Sequence, residues 1–101
     1  MMFNLEFTPK YLKKSRYLVK KNLTDILEKV LKIEDILEDG SWLQFDVKKH
    51  YKTEKLYYDQ GNLWKCKYIY GWRLIFAVDE NIITLTNLDK RDTIYSNLLI
   101  I

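Results

Sequence analysis

The chain has 101 residues, 48% hydrophobic and 31% charged, with a formal net charge of +3. That length holds one modest core and not two, and the mixture of apolar and charged residues excludes a disordered tail, so one domain spanning 1–101 is expected. The mild charge does not by itself identify a nucleic-acid binder, and Cys66, the sole cysteine, excludes an internal disulfide.

A lone cysteine fits a reducing, cytoplasmic setting. Without a Cys/His cluster no structural zinc is expected, and no other cofactor is indicated. The N-terminus "MMFNLEFTPK" lacks a basic region followed by a long apolar stretch, and no run approaches the roughly 18 apolar residues of a membrane span. Secretion and membrane insertion are therefore not expected. Cations cluster along the chain: Lys10, Lys13, Lys14, Arg16, Lys20 and Lys21 without an intervening acid, then residues 48–55, then Lys65, Lys67, Arg73, Lys90 and Arg91, with a mostly acidic stretch from Thr24 to Asp39 between the first two groups.

In chain order, Phe3, Leu5 and Phe7 alternate with polar residues as in a half-buried strand. Thr8 and Pro9 then offer a helix cap and a first-turn proline. The spacing predicts a helix over 9–21, with Tyr11, Leu12, Ser15, Leu18 and Val19 on one side and a cationic border around them. Asn22 or Thr24 can cap a second helix, whose apolar stripe runs through Leu23, Ile26, Leu27, Val30, Leu31, Ile33 and Leu37 until Gly40 stops it. The segment "SWLQFDVKKHYKTEK" has weak alternation and reads as a loop, with a short strand around Leu43 to Val47. Strands are then predicted at 56–59, 63–69, 72–78 and 81–88, separated by "QGN", "YG" and "DE". The expected fold class is α+β: an N-terminal strand, a two-helix hairpin, then an antiparallel meander, with the helices packed on one sheet face.

Strand alternation places Lys65 and Lys67 on one face and Trp64, Cys66 and Tyr68 on the other. A meander can bring Arg73, Lys90 and Arg91 to the same side, with few acids near them in sequence. Convergent cations suit a phosphate, and guanidinium forks stabilise the charge that builds up when a phosphodiester is attacked. In RNA the 2′-hydroxyl is an internal nucleophile, so cleavage needs a base, a charge stabiliser and an acid; a lysine crowded by cations can serve as that base. The same residues also suit a solvated face paired with Glu54, Asp59 or Asp79. Tyr95 reads as a packing residue or a base-stacking platform, His50 as a surface loop residue, and Cys66 as a buried thiol.

The order strand, two helices and meander, with "KCKYIYGWRLIFAVDEN" and a closing "KRDTIY", resembles the RelE/ParE toxin superfamily, and within it the RelE-like messenger-RNA interferases, over nearly the whole chain. The resemblance implies the toxin of a toxin–antitoxin pair: a ribosome-dependent, metal-independent endoribonuclease that cuts mRNA in the A site by 2′-hydroxyl attack. It implies catalytic roles for Lys65, Lys67, Arg73, Arg91 and Tyr95. Lys65 and Lys67 match the strand lysines, one of them the base, and Arg73 matches the arginine that stabilises the transition state. Arg91 matches the residue that protonates the leaving oxygen or holds the phosphate, and Tyr95 the tyrosine that orients the nucleotide. Lys10, Lys13, Lys14, Arg16, Lys20, Lys21 and Lys90 become candidates for RNA phosphate contacts.

The implied partners are a cognate antitoxin, which covers the basic groove and can displace the C-terminal segment, together with the ribosome and its mRNA. The apolar "NLLII" end suits an oligomer or antitoxin contact. Residues 41–62 depart from the family pattern. Two alternatives stand beside this reading: a ParE-like gyrase inhibitor, and a non-catalytic RNA- or protein-binding module on the same scaffold.

Overall fold

The computed structural model describes residues 2–56 and 63–94, apart from the side chains of Leu56, Lys67 and Tyr68. The elements run β1 (Asn4–Phe7), α1 (Pro9–Lys20), α2 (Thr24–Asp39), a short 3-10 turn (Ser41–Leu43), α3 (Phe45–Tyr51), β2 (Thr53–Leu56), β3 (Leu63–Ile69), β4 (Trp72–Asp79) and β5 (Ile82–Lys90). One helical turn follows at 91–94. The five strands form one sheet in the order β1-β5-β4-β3-β2, antiparallel from β2 to β5, with β1 parallel to β5 at the edge. The expected α+β class and the strand–hairpin–meander order are what the chain adopts.

Thr8 ties the first helix to the sheet. Its Oγ1 accepts the Tyr11 backbone N–H at 3.2 Å, capping α1, and donates to the Thr86 carbonyl on β5 at 3.0 Å, while Pro9 fills the first turn. The end of α1 is a Schellman motif: Leu23 N–H reaches the Leu18 carbonyl and Asn22 N–H the Val19 carbonyl, with Asn22 at φ 54°. Asn22 is therefore committed to closing α1. The cap position of α2 falls on Leu23 without a side-chain bond, which corrects the expectation that Asn22 or Thr24 caps it. Gly40, at φ 83°, ends α2 as expected.

The helices bury Tyr11, Leu18, Val30, Ile33 and Leu37 against one face of the sheet, together with Cys66, Ile69, Trp72, Leu74, Phe76, Ile83, Leu85 and Leu88. Their apolar stripes are narrower than the spacing suggested: Leu12, Val19 and Leu31 are exposed, as is Phe7. Trp42, in the turn after α2, is the hub of the aromatic packing. Its ring lies 5.8 Å from Phe3, 5.1 Å from Trp64 and 5.4 Å from Phe76, edge-on to the last two.

The segment expected to be a loop with a strand at 43–47 is instead the 3-10 turn, α3 and β2. Burying Trp42 holds this segment against the sheet, and Phe45–Tyr51 closes one short helix whose end Lys52 takes at φ 52°. His50 is accordingly exposed on a helix and not in a loop, with its ring 4.8 Å from Tyr51. The second strand ends at Leu56, and the rest of the predicted 56–59 strand lies outside the described residues.

Between α1 and α2 the buried Tyr11 hydroxyl donates to Glu34 Oε2 at 2.8 Å. Burial, and then the Glu34 charge, raise the Tyr11 pKa. Burial raises the Glu34 pKa above 4.5, an effect that the Tyr11 bond only partly offsets. The folded chain thus holds the Glu34 proton to higher pH than the unfolded chain does, so stability falls as pH rises from about 4.5 through the raised value. Glu34→Gln removes the titration, and its amide oxygen can still accept from Tyr11. Urea midpoints measured across that window should decline with pH in the wild type and decline less in the variant.

Candidate nucleic-acid cleavage site

The face of the sheet away from α1 and α2 is set by β4. Trp72, Leu74 and Phe76 point into the helical core, so Arg73 and Ile75 belong to the opposite face. Lys65 pairs with Ile75 across β3–β4, which puts Lys65 diagonal to Arg73 on that face, at the roughly 7–8 Å typical of such neighbours. On the other side Arg73 pairs with Asp89, and Ile75 with Asn87.

The β5 register is shifted by one residue between Leu85 and Asn87. Thr86 fills this bulge and donates its hydroxyl to the Ile75 carbonyl at 3.1 Å. Without the extra residue Asn87 would point to the core; with it Leu88 does, and Asp89 faces Arg73's side.

The turn between β3 and β4 carries Tyr70 at φ 48° and Gly71 at φ 84°. Two successive left-handed residues make the tight hairpin that "YG" predicts. Its Gly71 carbonyl accepts the Arg91 backbone N–H at 2.9 Å, which anchors Arg91 beside the start of β4. Tyr70, Gly71, Trp72, Lys90, Arg91 and Asp92 line a depression of about 410 Å³ at this end of the sheet. Lys65 and Arg73 therefore share one face, and the Arg91 backbone is anchored at its hairpin end.

Lys90 is not on that face. It pairs with Trp72, whose side chain is in the helical core, so alternation turns Lys90 away from Arg73's face; the expectation that the meander gathers all these cations is corrected for this residue. Lys67 is complicated by a second register shift. Between Cys66 and Ile69 the β3 chain carries one extra residue, because both side chains are buried in the same core although an odd number of positions apart. Simple alternation from Lys65 to Lys67 and Tyr68 thus crosses a bulge. The side chain of Lys67, all of Tyr95 and the "NLLII" end lie outside the described residues.

Acids also lie among the cations, as the solvated-face reading expects for Glu54. Lys65, with a side chain only 14% exposed, lies 3.6 Å from Glu54, its cross-strand partner on β2. Lys14 leaves the α1 border to meet Asp89 at 3.3 Å. Glu54 is a partner that the solvated-face reading names; Asp89 is not, because Lys14 lies far from it in sequence. Lys10, Lys13, Arg16, Lys20 and Lys21 form the exposed border that helical spacing predicts. Arg73 is half-buried and its Nη1 donates to the carbonyl of Trp72 at 2.8 Å. A guanidinium held through one of its two terminal nitrogens presents charge at a set position, as recognition of phosphate requires.

Cys66 is buried on the helical face, as expected, and its thiol donates to the Tyr51 carbonyl at 3.0 Å. Among the described residues no group of three His, Cys, Asp or Glu side chains could hold a metal ion, and no helix is long and apolar enough to cross a membrane.

The C-terminal turn lies over the candidate face. Ile94 is fully buried and packs on Ile75, with Leu63 beside them, forming a second apolar cluster. Removing this side chain opens a cavity and should cost about 2–5 kcal/mol if the turn is integral to the fold. Ile94→Ala is expected to lower the chemical-denaturation midpoint and to accelerate amide exchange at 91–94 before it affects α2.

No protein-family model matches this sequence, and no curated protein does. Solved structures do. The chain of a DinJ–YafQ toxin–antitoxin complex from E. coli superposes with a TM-score of 0.74 at 16% identity, covering 94% of this chain and 99% of that one. YoeB from a Staphylococcus aureus dimer gives 0.70 at 19% identity, over 90% and 99%. An archaeal RelE–RelB complex from Pyrococcus horikoshii gives 0.66 at 20% identity, over 90% and 97%. At these identities the likeness concerns architecture, and it extends over nearly the whole length of each partner: the chain has the RelE-like toxin fold.

Proposed function

We propose that this chain is the toxin of a toxin–antitoxin pair and a metal-independent endoribonuclease that cuts mRNA in the ribosomal A site. The observation that carries the reading is the placement of Lys65 and Arg73 on one sheet face, with Arg91 anchored at its end, in a RelE-like fold. Solved structures with this fold include toxin–antitoxin complexes, and a cognate antitoxin covering the same face is the proposed partner. A cytoplasmic location follows from that role.

The reaction needs no group beyond the chain and its substrate. A base removes the proton of the 2′-hydroxyl, and the oxygen attacks the adjacent phosphorus. The bond from phosphorus to the 5′-oxygen breaks, an acid protonates that oxygen, and a 2′,3′-cyclic phosphate remains. Arg73 holds the equatorial oxygens as their charge grows, a role worth about 3–4 kcal/mol for a single well-placed donor. One of Lys65 and Lys67 supplies the base. Arg91 holds the phosphate or delivers the proton to the leaving oxygen, and Tyr95 orients the nucleotide. In this scheme Glu54 holds the Lys65 side chain in place until substrate displaces the pair.

A non-catalytic RNA-binding module is the second reading, and the ion pairs Lys65–Glu54 and Lys14–Asp89 favour it, because they give these cations a structural use. Primer extension on an mRNA in a reconstituted translation system separates the two. Cuts within A-site codons that require ribosomes and fall by about 10²-fold or more with Arg73→Ala are the expected result. Ribosome binding without cuts, by both proteins, would establish the module instead.

A further inference from the structure

The basic segment between Phe45 and Lys55 takes no part in the proposed chemistry. It forms α3 and the start of β2, on the helical side of the sheet. Lys48 and Lys55 both approach the Trp64 ring, with ammonium-to-centroid distances of 5.3 Å and 5.9 Å. One indole therefore meets two cations from separate elements. Lys49 and Lys52 extend the charge along the exposed side of α3. Among the described residues none of these four lysines forms an ion pair. Of the acids in the segment, Glu54 meets Lys65 on the opposite face and Asp46 lies in the first turn of α3.

The same helix exposes Phe45, with 75% of its surface open to solvent. Lys48 and Lys49 follow it at the i+3 and i+4 positions, so they flank the ring on the helix surface. An exposed aromatic ring bordered by cations suits an unpaired nucleobase with its neighbouring phosphates, whereas an acidic peptide would use the charges alone.

We infer that α3 and the start of β2 form an RNA-docking surface: Phe45 stacks on an unpaired base, and Lys48, Lys49, Lys52 and Lys55 hold the flanking phosphates. This surface deepens the proposed function by naming a second RNA contact, on the sheet side away from Lys65 and Arg73. It positions RNA and does not touch the reacting atoms. The Lys52 backbone, at φ 52°, favours asparagine, so its charge can be removed without strain.

The test is fluorescence anisotropy with the full chain and a labelled RNA stem-loop carrying 2′-O-methyl groups throughout. This probe cannot be cut by 2′-hydroxyl attack, so the result is independent of the nuclease reading. Phe45→Ala should weaken binding about tenfold with little change in salt dependence. Lys49→Gln combined with Lys52→Asn should flatten the slope of log K against log salt by about 1.5. Lys29→Gln combined with Lys32→Gln, on α2, reports the generic effect of losing two charges. If the α3 variants bind the stem-loop like wild type, or if the α2 pair reproduces their full effect, the surface is not an RNA dock. Unchanged RNA binding accompanied by lost binding to polyglutamate would overturn the proposal in favour of an acidic protein partner. Circular dichroism melts of these variants, matching wild type, exclude unfolding as the cause.

Discussion

Alternation along β4 is the constraint on which the rest depends. Trp72, Leu74 and Phe76 are committed to the core beneath the helices, so Arg73 and Ile75 have no choice of face. Everything on that second face is then set by register. Lys65 arrives by pairing with Ile75, Asp89 by pairing with Arg73, and Arg91 by the bond from its backbone to Gly71. A one-residue slip would send Arg73 into the core, where an unpaired guanidinium is prohibitively costly. Packing of the apolar face thus fixes the geometry of the charged one.

The features legible in sequence were those with local physical signatures. The Thr8–Pro9 start of α1, the Gly40 stop and the Tyr70–Gly71 hairpin each rest on the conformational preferences of one or two residues, and each is where the sequence predicts. Features that depend on long-range pairing were not legible. The bulges in β3 and β5 reset which side chains share a face, and nothing in "KCKYIY" or "LTNLDK" announces them. Asn22 is ambiguous in sequence for a related reason: asparagine serves helix starts and left-handed helix ends equally well, and the bond from Leu23 to Leu18 decides between them. The α3 segment escaped detection because seven residues give too short a window for helical periodicity, and its anchor, Trp42, precedes it.

The cations of the candidate site are partly paired within the fold. Glu54 offsets part of the charge at Lys65, while Asp89 is engaged by Lys14 of α1, so the site is not the bare positive cluster that sequence counting suggests. Exposed or partly exposed pairs of this kind contribute at most about 1 kcal/mol each, which an incoming phosphate, forming bidentate bonds with arginine, can exceed. The Ile94–Ile75 contact adds an apolar cover at the same place. Charge pairs and cover together hold the groups of this face in a set arrangement.

The central claim is that these cations assist attack by a 2′-hydroxyl, and the chemistry of the cut ends tests it most directly. RNA from ribosomes incubated with the protein, under conditions that retain the magnesium ribosomes need, is to be mapped for its termini. The account predicts a 2′,3′-cyclic phosphate upstream and a 5′-hydroxyl downstream, and no cutting where the nucleotide 5′ to the scissile phosphate is 2′-deoxy. A 3′-hydroxyl with a 5′-phosphate, or cutting that persists at the deoxy position, would contradict it, because water and not the sugar would then be the nucleophile.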